Sequence, residues 1–423
     1  MLKESFSGQG RFIAATIFLF LATQEVSGLS ALRSLAEVLL LIAALREALT
    51  GTCEWRRSLN NPIYLTALLF AASALFSCTY SPLPLVSFDE MKMPVLKGML
   101  AIPIALSIAV LGLVRSGWDE ERIARLLIIS LAFSGLGQLV WVISSYINYF
   151  REFSTFPIDP FFHRYKVGAA LIAFPFVLLA IRGSTRFWAL SMGIVAMGLL
   201  IVILTSNSRG AWLGVVASIV YLYFANRRSG HRAFKPDARI LFVAAAGICV
   251  VLLVLAGTPM VQQLESKVMA GFDTSNRFGH GVWGATLDMI RQEPWLGYGY
   301  GDEVYALAYN ALAPSHPEWI VRESIGSHNA ILANWVATGA IGMLAIFLLY
   351  GGFLLGARRL FRERGKNPFV HDLLHAVIAA LISYYLVRGQ FEIVRWNSYG
   401  ILMAVLLWLF ALSNAKRRDT ERG

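Results

Sequence analysis

Apolar residues are gathered into long blocks along this chain, and short polar stretches separate the blocks. Many blocks approach the roughly 20 residues that an α-helix needs to cross a bilayer. Backbone N–H and C=O groups in hydrocarbon must pair within their own segment, so each block is predicted to be a helix. The pattern predicts twelve spans, with ends placed to within several residues: 12–25, 30–49, 62–79, 93–114, 123–149, 167–181, 187–205, 210–224, 240–256, 329–356, 370–387 and 398–413.

Composition excludes an ordinary soluble protein. Hydrophobic residues make up 57% of the chain and charged residues only 15%, where soluble domains carry about 25% charged residues. The predicted fold class is therefore all-α, a polytopic membrane protein with residues 1–423 in a single membrane domain. The three cysteines are scattered along the chain, which predicts neither a disulfide framework nor a zinc site.

The net charge of +11 has a topological explanation. Most basic residues fall in alternate connections between the spans, including the clusters at 227–239 and 358–366. Cytoplasmic loops of membrane proteins carry such an excess of Lys and Arg. Both termini are accordingly predicted to be cytoplasmic, and nucleic acid is not predicted as a partner.

One connection is much longer than the others. Residues 257–328 join the ninth and tenth spans on the predicted outer face and are rich in Gly, Pro, Trp and Tyr. Two stretches within them, 259–270 and 282–292, are moderately amphipathic. A long loop in a compact bundle is more often functional than not, so this loop is a candidate part of the site.

Two arginines on the predicted outer face are candidate anion-binding groups. Arg209 follows Ser208 and precedes Gly210 in a tight turn between two spans, and Arg277 lies in the long loop ahead of Trp283. A guanidinium binds phosphate oxygens bidentately, which favours a diphosphate clamp. The alternative is an arginine that reaches lipid headgroups. The Gly-aromatic run 294–301 is suited to sugars, or equally to packing on headgroups.

His328 is the candidate catalytic residue. It lies in Gly326-Ser327-His328-Asn329, predicted to be the first turn of the tenth span at its outer end. An imidazole at this position can take a proton from a sugar hydroxyl. The alternative is an interfacial histidine that only caps the helix or hydrogen-bonds locally. No metal site is predicted, because no set of His, Asp and Glu at the outer helix ends has suitable spacing.

Other outer-face charges flank the last spans and the sixth. They are either salt-bridged structural groups or, with Arg209 and Arg277, a positive bowl around His328 that attracts an anionic lipid-linked substrate. These residues are Arg164, Lys166, Arg388, Glu392 and Arg395.

In the order of these motifs the chain resembles the O-antigen ligase and polymerase family of bacterial envelope enzymes. The resemblance rests on Ser208-Arg209-Gly210, on Arg277 followed by Trp283, on Pro294-x-x-Gly-x-Gly, and on His328-Asn329 with the following helix, over residues 200–350. It implies a GT-C-type fold and a metal-independent, cofactor-free glycosyltransferase in the bacterial inner membrane. It also implies transfer from undecaprenyl diphosphate to a lipid A–core sugar at the periplasmic face, with inversion.

The resemblance also implies residue roles. His328 takes the role of catalytic base, and Arg209 and Arg277 take the role of diphosphate-binding residues. Further candidate substrate-binding residues are Arg164, Lys166, Arg388 and Asn329.

Three alternatives remain open from the sequence. A polymerase of the same family would extend lipid-linked repeat units, and a protein O-oligosaccharyltransferase would modify Ser or Thr. A transporter of lipid-linked glycans would also have about twelve spans. It is disfavoured because 182–186 is too short for a central cytoplasmic link, the charges lie at the outer rim, and no unusually broken helix is predicted in corresponding halves.

Overall fold

The computed structural model describes residues 8–24, 26, 28–50, 56–153, 167–181, 185–206, 208–228, 277–364 and 367–422. All regular structure in these ranges is helical. The longer helices are Gly8–Thr23, Ser30–Thr50, Pro62–Tyr80, Pro84–Met91 continuing through Lys92–Ala101 into Ile102–Arg115, Glu120–Phe153, Val167–Ala180, Arg186–Thr205, Arg209–Arg228, Ala330–Arg364, Pro368–Ala380 continuing into Leu381–Val387, and Trp396–Arg422.

Each predicted span except the ninth coincides with a helix, and the ninth, 240–256, lies outside the described residues. Six of the described helices are long and apolar enough to cross a membrane, and four shorter ones are apolar. The chain is therefore a multi-pass helical membrane protein, as predicted. The total of twelve spans and the GT-C-type fold stay predictions.

The chain divides into two compact units, and each is formed from three separate segments. The first comprises residues 1–51, 108–271 and 364–387, and the second comprises 52–107, 272–363 and 388–423. In the first unit a buried carboxylate is neutralised locally. Glu47 accepts a hydrogen bond from Gln9 at 2.6 Å and pairs with Arg115 at 2.9 Å. A buried charge persists only with such partners.

The second unit contains a broken helix. Within Ala330–Arg364 the backbone at Gly339 is non-helical, with φ +66° and ψ −165°. The break frees backbone groups that a membrane helix cannot leave unpaired. The N–H groups of Tyr298 and Gly299 donate to the carbonyls of Val336 and Ala337, at 2.7 and 2.9 Å. The Gly-aromatic loop therefore supplies the hydrogen bonds that the helix lacks.

Glycines make this docking possible. A Cβ at Gly339 would collide with the carbonyl of Trp295, and one at Gly297 would collide with the carbonyl of Val336. Both glycines also have positive φ, which other residues rarely adopt. The run 294–301 is thus a packing element against the helix, a role that neither sequence interpretation of this loop included.

The sequence predicted no unusually broken helix in corresponding halves, which disfavoured a transporter, and the structure shows one broken helix, Ala330–Arg364. Broken helices also serve transporters, so the shape of this helix does not separate the two classes. The segment Thr338-Gly339-Ala340 is predicted to be ordinary helix. The break could not be predicted from it, because the break depends on hydrogen bonds to a loop that is distant in sequence.

The described part of the long connection folds into two short helices, Val282–Gln292 and Asp302–Leu312, followed by the turn Ala313–Ser315. The moderately amphipathic stretch 282–292 forms the first of these helices, whereas 257–276, including 259–270, lie outside the described residues. A small core holds this region together, built around the buried side chains Ala285, Met289, Tyr305, Tyr309, Trp319 and Val336. Its position on the outer face stays a prediction.

Candidate functional site

His328 lies immediately before the helix Ala330–Arg364, in a strained turn. Asn329 caps this helix, since its Oδ1 accepts the N–H groups of Ile331 and Leu332 at 2.9 and 3.1 Å. His328 precedes the cap and has φ +49°, the only non-glycine positive φ among the described residues. The sequence predicted His328 to lie in the first turn of this helix, but the structure places it before that turn. Such backbone strain is typical of functional positions.

A carboxylate holds the imidazole. His328 Nδ1 lies 3.2 Å from Oε2 of Glu392, which is only 9% exposed. Glu392 belongs to the turn 388–395, and this turn is fixed against the same helix start because Asn329 Nδ2 donates to the carbonyl of Gln390 at 3.3 Å. From the sequence, Glu392 was predicted only to be one of several charged residues on the outer face, with no link to His328.

Arg277 reaches the same carboxylate from the other side. Its Nη1 donates to the backbone carbonyl of Phe391, and its Nη2 lies 4.0 Å from Glu392 Oε1. One oxygen of Glu392 therefore faces an imidazole and the other faces a guanidinium. The structure thus brings together two of the predicted site residues, His328 and Arg277, around a third group that was not predicted as their link.

An aromatic cluster packs next to the backbone of Arg277. The N–H of Trp283 donates to the Arg277 carbonyl at 2.9 Å. The Trp283 ring lies between Phe278, at 4.6 Å between ring centroids, and Phe391, at 6.2 Å. The indole Nε1 of Trp283 is buried and has no hydrogen-bond partner among the described residues. These rings fix the backbone that carries the guanidinium.

A second carboxylate lies within electrostatic reach of His328. Asp302 opens the helix Asp302–Leu312, whose first N–H groups are capped by the Glu90 carboxylate. Burial raises the pKa of Asp302, and the charge that His328 carries when protonated lowers it. Asp302 could not be predicted from the sequence, because only the tertiary structure brings it within electrostatic range of His328.

The remaining predicted residues are distributed differently. Arg388 is buried and donates to the carbonyl of Ile393 at 3.1 Å, so it stabilises the turn that carries Glu392. Arg395, on the same turn, is exposed. Arg164 and Lys166 lie outside the described residues. Substrate binding by Arg164, Lys166, Arg388 and Asn329 stays a prediction.

Arg209 belongs to the first unit, where it begins the helix Arg209–Arg228. The side chain of Ser208 caps this helix, because its Oγ accepts the N–H of Ala211 at 3.3 Å. A helix N-terminus attracts anions through its exposed N–H groups and its dipole. The local structure at Arg209 is therefore compatible with the predicted phosphate clamp.

Two further groups of side chains have the chemistry to ligate a metal ion, although no metal site was predicted from the sequence. Asp288, His316 and Glu318 converge in the long connection. In the first unit His371 and His375 lie with their Nε2 atoms 3.2 Å apart. The spacing of four residues on a helix could have revealed the second cluster, but the first depends on folding.

The arrangement around His328 is suited to proton transfer. If the Nδ1–H of His328 donates a hydrogen bond to Glu392, the Nε2 lone pair is left to act as a general base, as in other carboxylate–histidine pairs. An arginine beside the pair can offset negative charge on a leaving group. In a multi-pass helical membrane protein, a histidine base with an arginine beside it is compatible with a glycosyltransferase-type enzyme.

Residues 194–347, which include Arg209, Arg277 and His328, match the family model described as O-Antigen ligase. The whole chain is 26% identical to the O-antigen ligase of Salmonella typhimurium over 413 residues, which cover 93% of this chain and 95% of that protein. The chain is thus similar to O-antigen ligases both in this region and along most of its length.

Proposed function

We propose that this protein ligates O-antigen to lipid A–core, transferring the glycan from undecaprenyl diphosphate to a sugar hydroxyl of the acceptor. The observation that carries the proposal is the cluster of His328, Glu392 and Arg277, in which one buried carboxylate faces both an imidazole and a guanidinium. The similarity to an O-antigen ligase along nearly the whole chain supports the substrate class.

The reaction is a single displacement. The Nδ1–H of His328 donates a hydrogen bond to Glu392, and Nε2 of His328 removes the proton from the acceptor hydroxyl. The resulting oxygen attacks the anomeric carbon of the donor, and the bond from that carbon to the diphosphate oxygen breaks. A new glycosidic bond forms with inversion, the diphosphate lipid leaves with the electron pair, and His328 holds the proton.

The leaving group carries the negative charge that develops in this step. A guanidinium has five N–H groups, so Arg277 can hold the Phe391 carbonyl and a phosphate oxygen at once. Arg209, which begins a helix of the first unit, keeps the diphosphate-binding role that the resemblance implies. A guanidinium stabilises a leaving diphosphate electrostatically, and the proposed mechanism uses no metal and no cofactor.

The proposed setting is the periplasmic face of a bacterial inner membrane. Basic residues cluster in alternate connections, which supports cytoplasmic termini and an outward position for residues 257–328. His328, Arg277 and Glu392 then lie at the outer surface, where a lipid-linked donor and lipid A–core both have their sugars.

The test replaces His328 by alanine in a Gram-negative strain that lacks its own ligase, with lipopolysaccharide analysed on gels. We expect the wild type to restore the high-molecular-weight ladder. His328→Ala should lower transfer by about 10²–10⁴-fold, the range for loss of a general base, and lipid-linked polymer should accumulate. The matched control is His280→Ala, an exposed histidine of the same connection, with membrane levels of each variant measured in parallel.

Two outcomes would contradict the proposal in different ways. If His328→Ala restores the ladder as well as the wild type does, the histidine is not the base. If the wild type makes no ladder on a matching core but lengthens lipid-linked repeat units, the protein is a polymerase with the same donor chemistry and a different acceptor.

A further inference from the structure

Three metal-ligating side chains from separate parts of the long connection meet at its surface. Asp288 lies on the helix Val282–Gln292, and His316 and Glu318 follow the turn Ala313–Ser315. One potential ligand atom of each lies within 4.8 Å of the others. None of the three belongs to the cluster around His328, and the proposed function does not use them.

A buried tryptophan orients two of the three side chains. Trp319 is 1% exposed, and its indole Nε1 donates to Oδ2 of Asp288 at 3.1 Å. The His316 ring stacks on the same indole, with 4.5 Å between centroids and 7° between planes. Metal ligands in proteins are typically held in this way by an outer shell that fixes their orientation. The carboxylate and the imidazole are thus fixed by one rigid side chain.

The other contacts of the cluster are with exposed, exchangeable groups. Arg291 Nη1 lies 2.6 Å from Asp288 Oδ1, and its side chain is 76% exposed. His316 Nδ1 lies 2.8 Å from Glu318 Oε1, and His316 Nε2 lies 3.1 Å from Gln292 Nε2. Exposed ion pairs contribute little to stability, so a bound cation can displace the guanidinium readily.

We propose that Asp288, His316 and Glu318 bind a divalent transition-metal ion, of which Zn²⁺ is the representative, with water completing the coordination. One imidazole and two carboxylates suit Zn²⁺, whereas Ca²⁺ and Mg²⁺ prefer oxygen ligands alone. Zinc bonds of roughly 2.0–2.2 Å require the ligand atoms to draw closer together. Glu318, whose side chain is 40% exposed, can make this movement.

The bound ion would be structural. It would join the helix Val282–Gln292 to the turn that carries Trp319, and so close the small core between them. Because an ion that binds only the folded state stabilises it, the site should raise the unfolding temperature of this region without entering the transfer reaction.

The test uses the full-length protein in detergent, stripped with a chelator and unfolded thermally with and without Zn²⁺, Ca²⁺ or Mg²⁺. We expect Zn²⁺ to raise the Tm by several degrees and the other two ions to have little effect. His316→Ala and the milder Glu318→Gln should each reduce the shift, whereas Glu293→Gln, an exposed carboxylate beyond the same helix, should keep it. Cobalt absorption provides a second measurement, because the visible bands of bound Co²⁺ should weaken in the same two variants.

Several results would overturn the site. These are the absence of any Zn²⁺ shift, an equal shift from Ca²⁺, or a full shift retained in both His316→Ala and Glu318→Gln. A shift lost in His371→Ala but kept in the other variants would assign the ion to the histidine pair of the first unit. None of these results bears on the ladder assay of the proposed function.

Discussion

Two histidines of the second unit are each paired through Nδ1 with a glutamate oxygen, yet their surroundings differ. Glu392, the partner of His328, lies 64 residues away, is 9% exposed and also faces Arg277. The partner of His316 is two residues away and 40% exposed, and the histidine stacks on Trp319. An exposed local pair is worth little energetically. The buried pair is held from several sides and is the one suited to catalysis.

The difference shows that a His–Glu contact alone does not define a function. Around His328 the backbone is strained and the carboxylate is shared with an arginine, so the imidazole is held in one orientation, as a catalytic base requires. Around His316 the ring is fixed but its partners are exchangeable, which suits capture of a cation. Predictions that disturb one pair and leave the other intact separate these interpretations.

Among the substitutions Arg277→Ala, Glu392→Gln and Arg291→Ala, the first should lower the transfer rate most. Arg277→Ala removes the guanidinium beside Glu392 and the hydrogen bond to the Phe391 carbonyl. We expect transfer to fall by about 10²–10³-fold, the scale of losing one preorganised charge-stabilising group. The measurement is the initial rate of transfer by purified protein from a lipid-linked donor. An unchanged rate would show that the arginine only supports the fold of the turn.

Replacing the buried glutamate should have an intermediate effect. Glu392→Gln keeps an oxygen that can accept a hydrogen bond from the Nδ1–H of His328 but removes the negative charge. We expect kcat to fall by about 10–100-fold, as for other outer-shell partners of a functional histidine, with KM for the donor nearly constant. Glu323→Gln, an exposed glutamate of the same connection, serves as the matched control. A rise in KM at constant kcat would instead assign Glu392 to substrate binding.

Arg291 is the counterpart of Arg277 at the second histidine, and its removal should have the smallest effect on transfer. Because its side chain is 76% exposed, Arg291→Ala should change the transfer rate by less than about twofold. The same change should tighten Zn²⁺ binding, since no guanidinium then competes for Asp288. Isothermal titration measures this directly, and weaker binding in the variant would contradict a role for Arg291 as the displaced cation.

Much of the fold could be predicted because it follows from local chemistry. Apolar blocks of span length predicted every described long helix, and the stretch noted as amphipathic at 282–292 coincides with a short helix. The break at Gly339 could not be predicted, because a glycine at this position is equally compatible with an ordinary helix. Only the loop 294–301 provides hydrogen-bond partners for the neighbouring backbone groups. A glycine in a helix and a glycine at a break look alike in sequence.

The candidate site was predicted in part. His328, Arg209 and Arg277 were proposed from their places at predicted helix ends and in the long loop, and the structure places His328 and Arg277 around one carboxylate. Their link through Glu392 was missed, since this glutamate is far away in sequence and resembles any other charge between two spans. Asp302 was missed for the same reason.

The sequence by itself determined the class of protein, because hydrocarbon admits only segments that satisfy their own backbone hydrogen bonds. The composition and length of each apolar block were therefore sufficient to predict helices that cross a membrane. Only the tertiary structure decided which charged side chains become partners. Pairing of His328 with Glu392, and of Asp288 with His316 and Glu318, depends on distances of a few ångströms between segments that folding alone brings together.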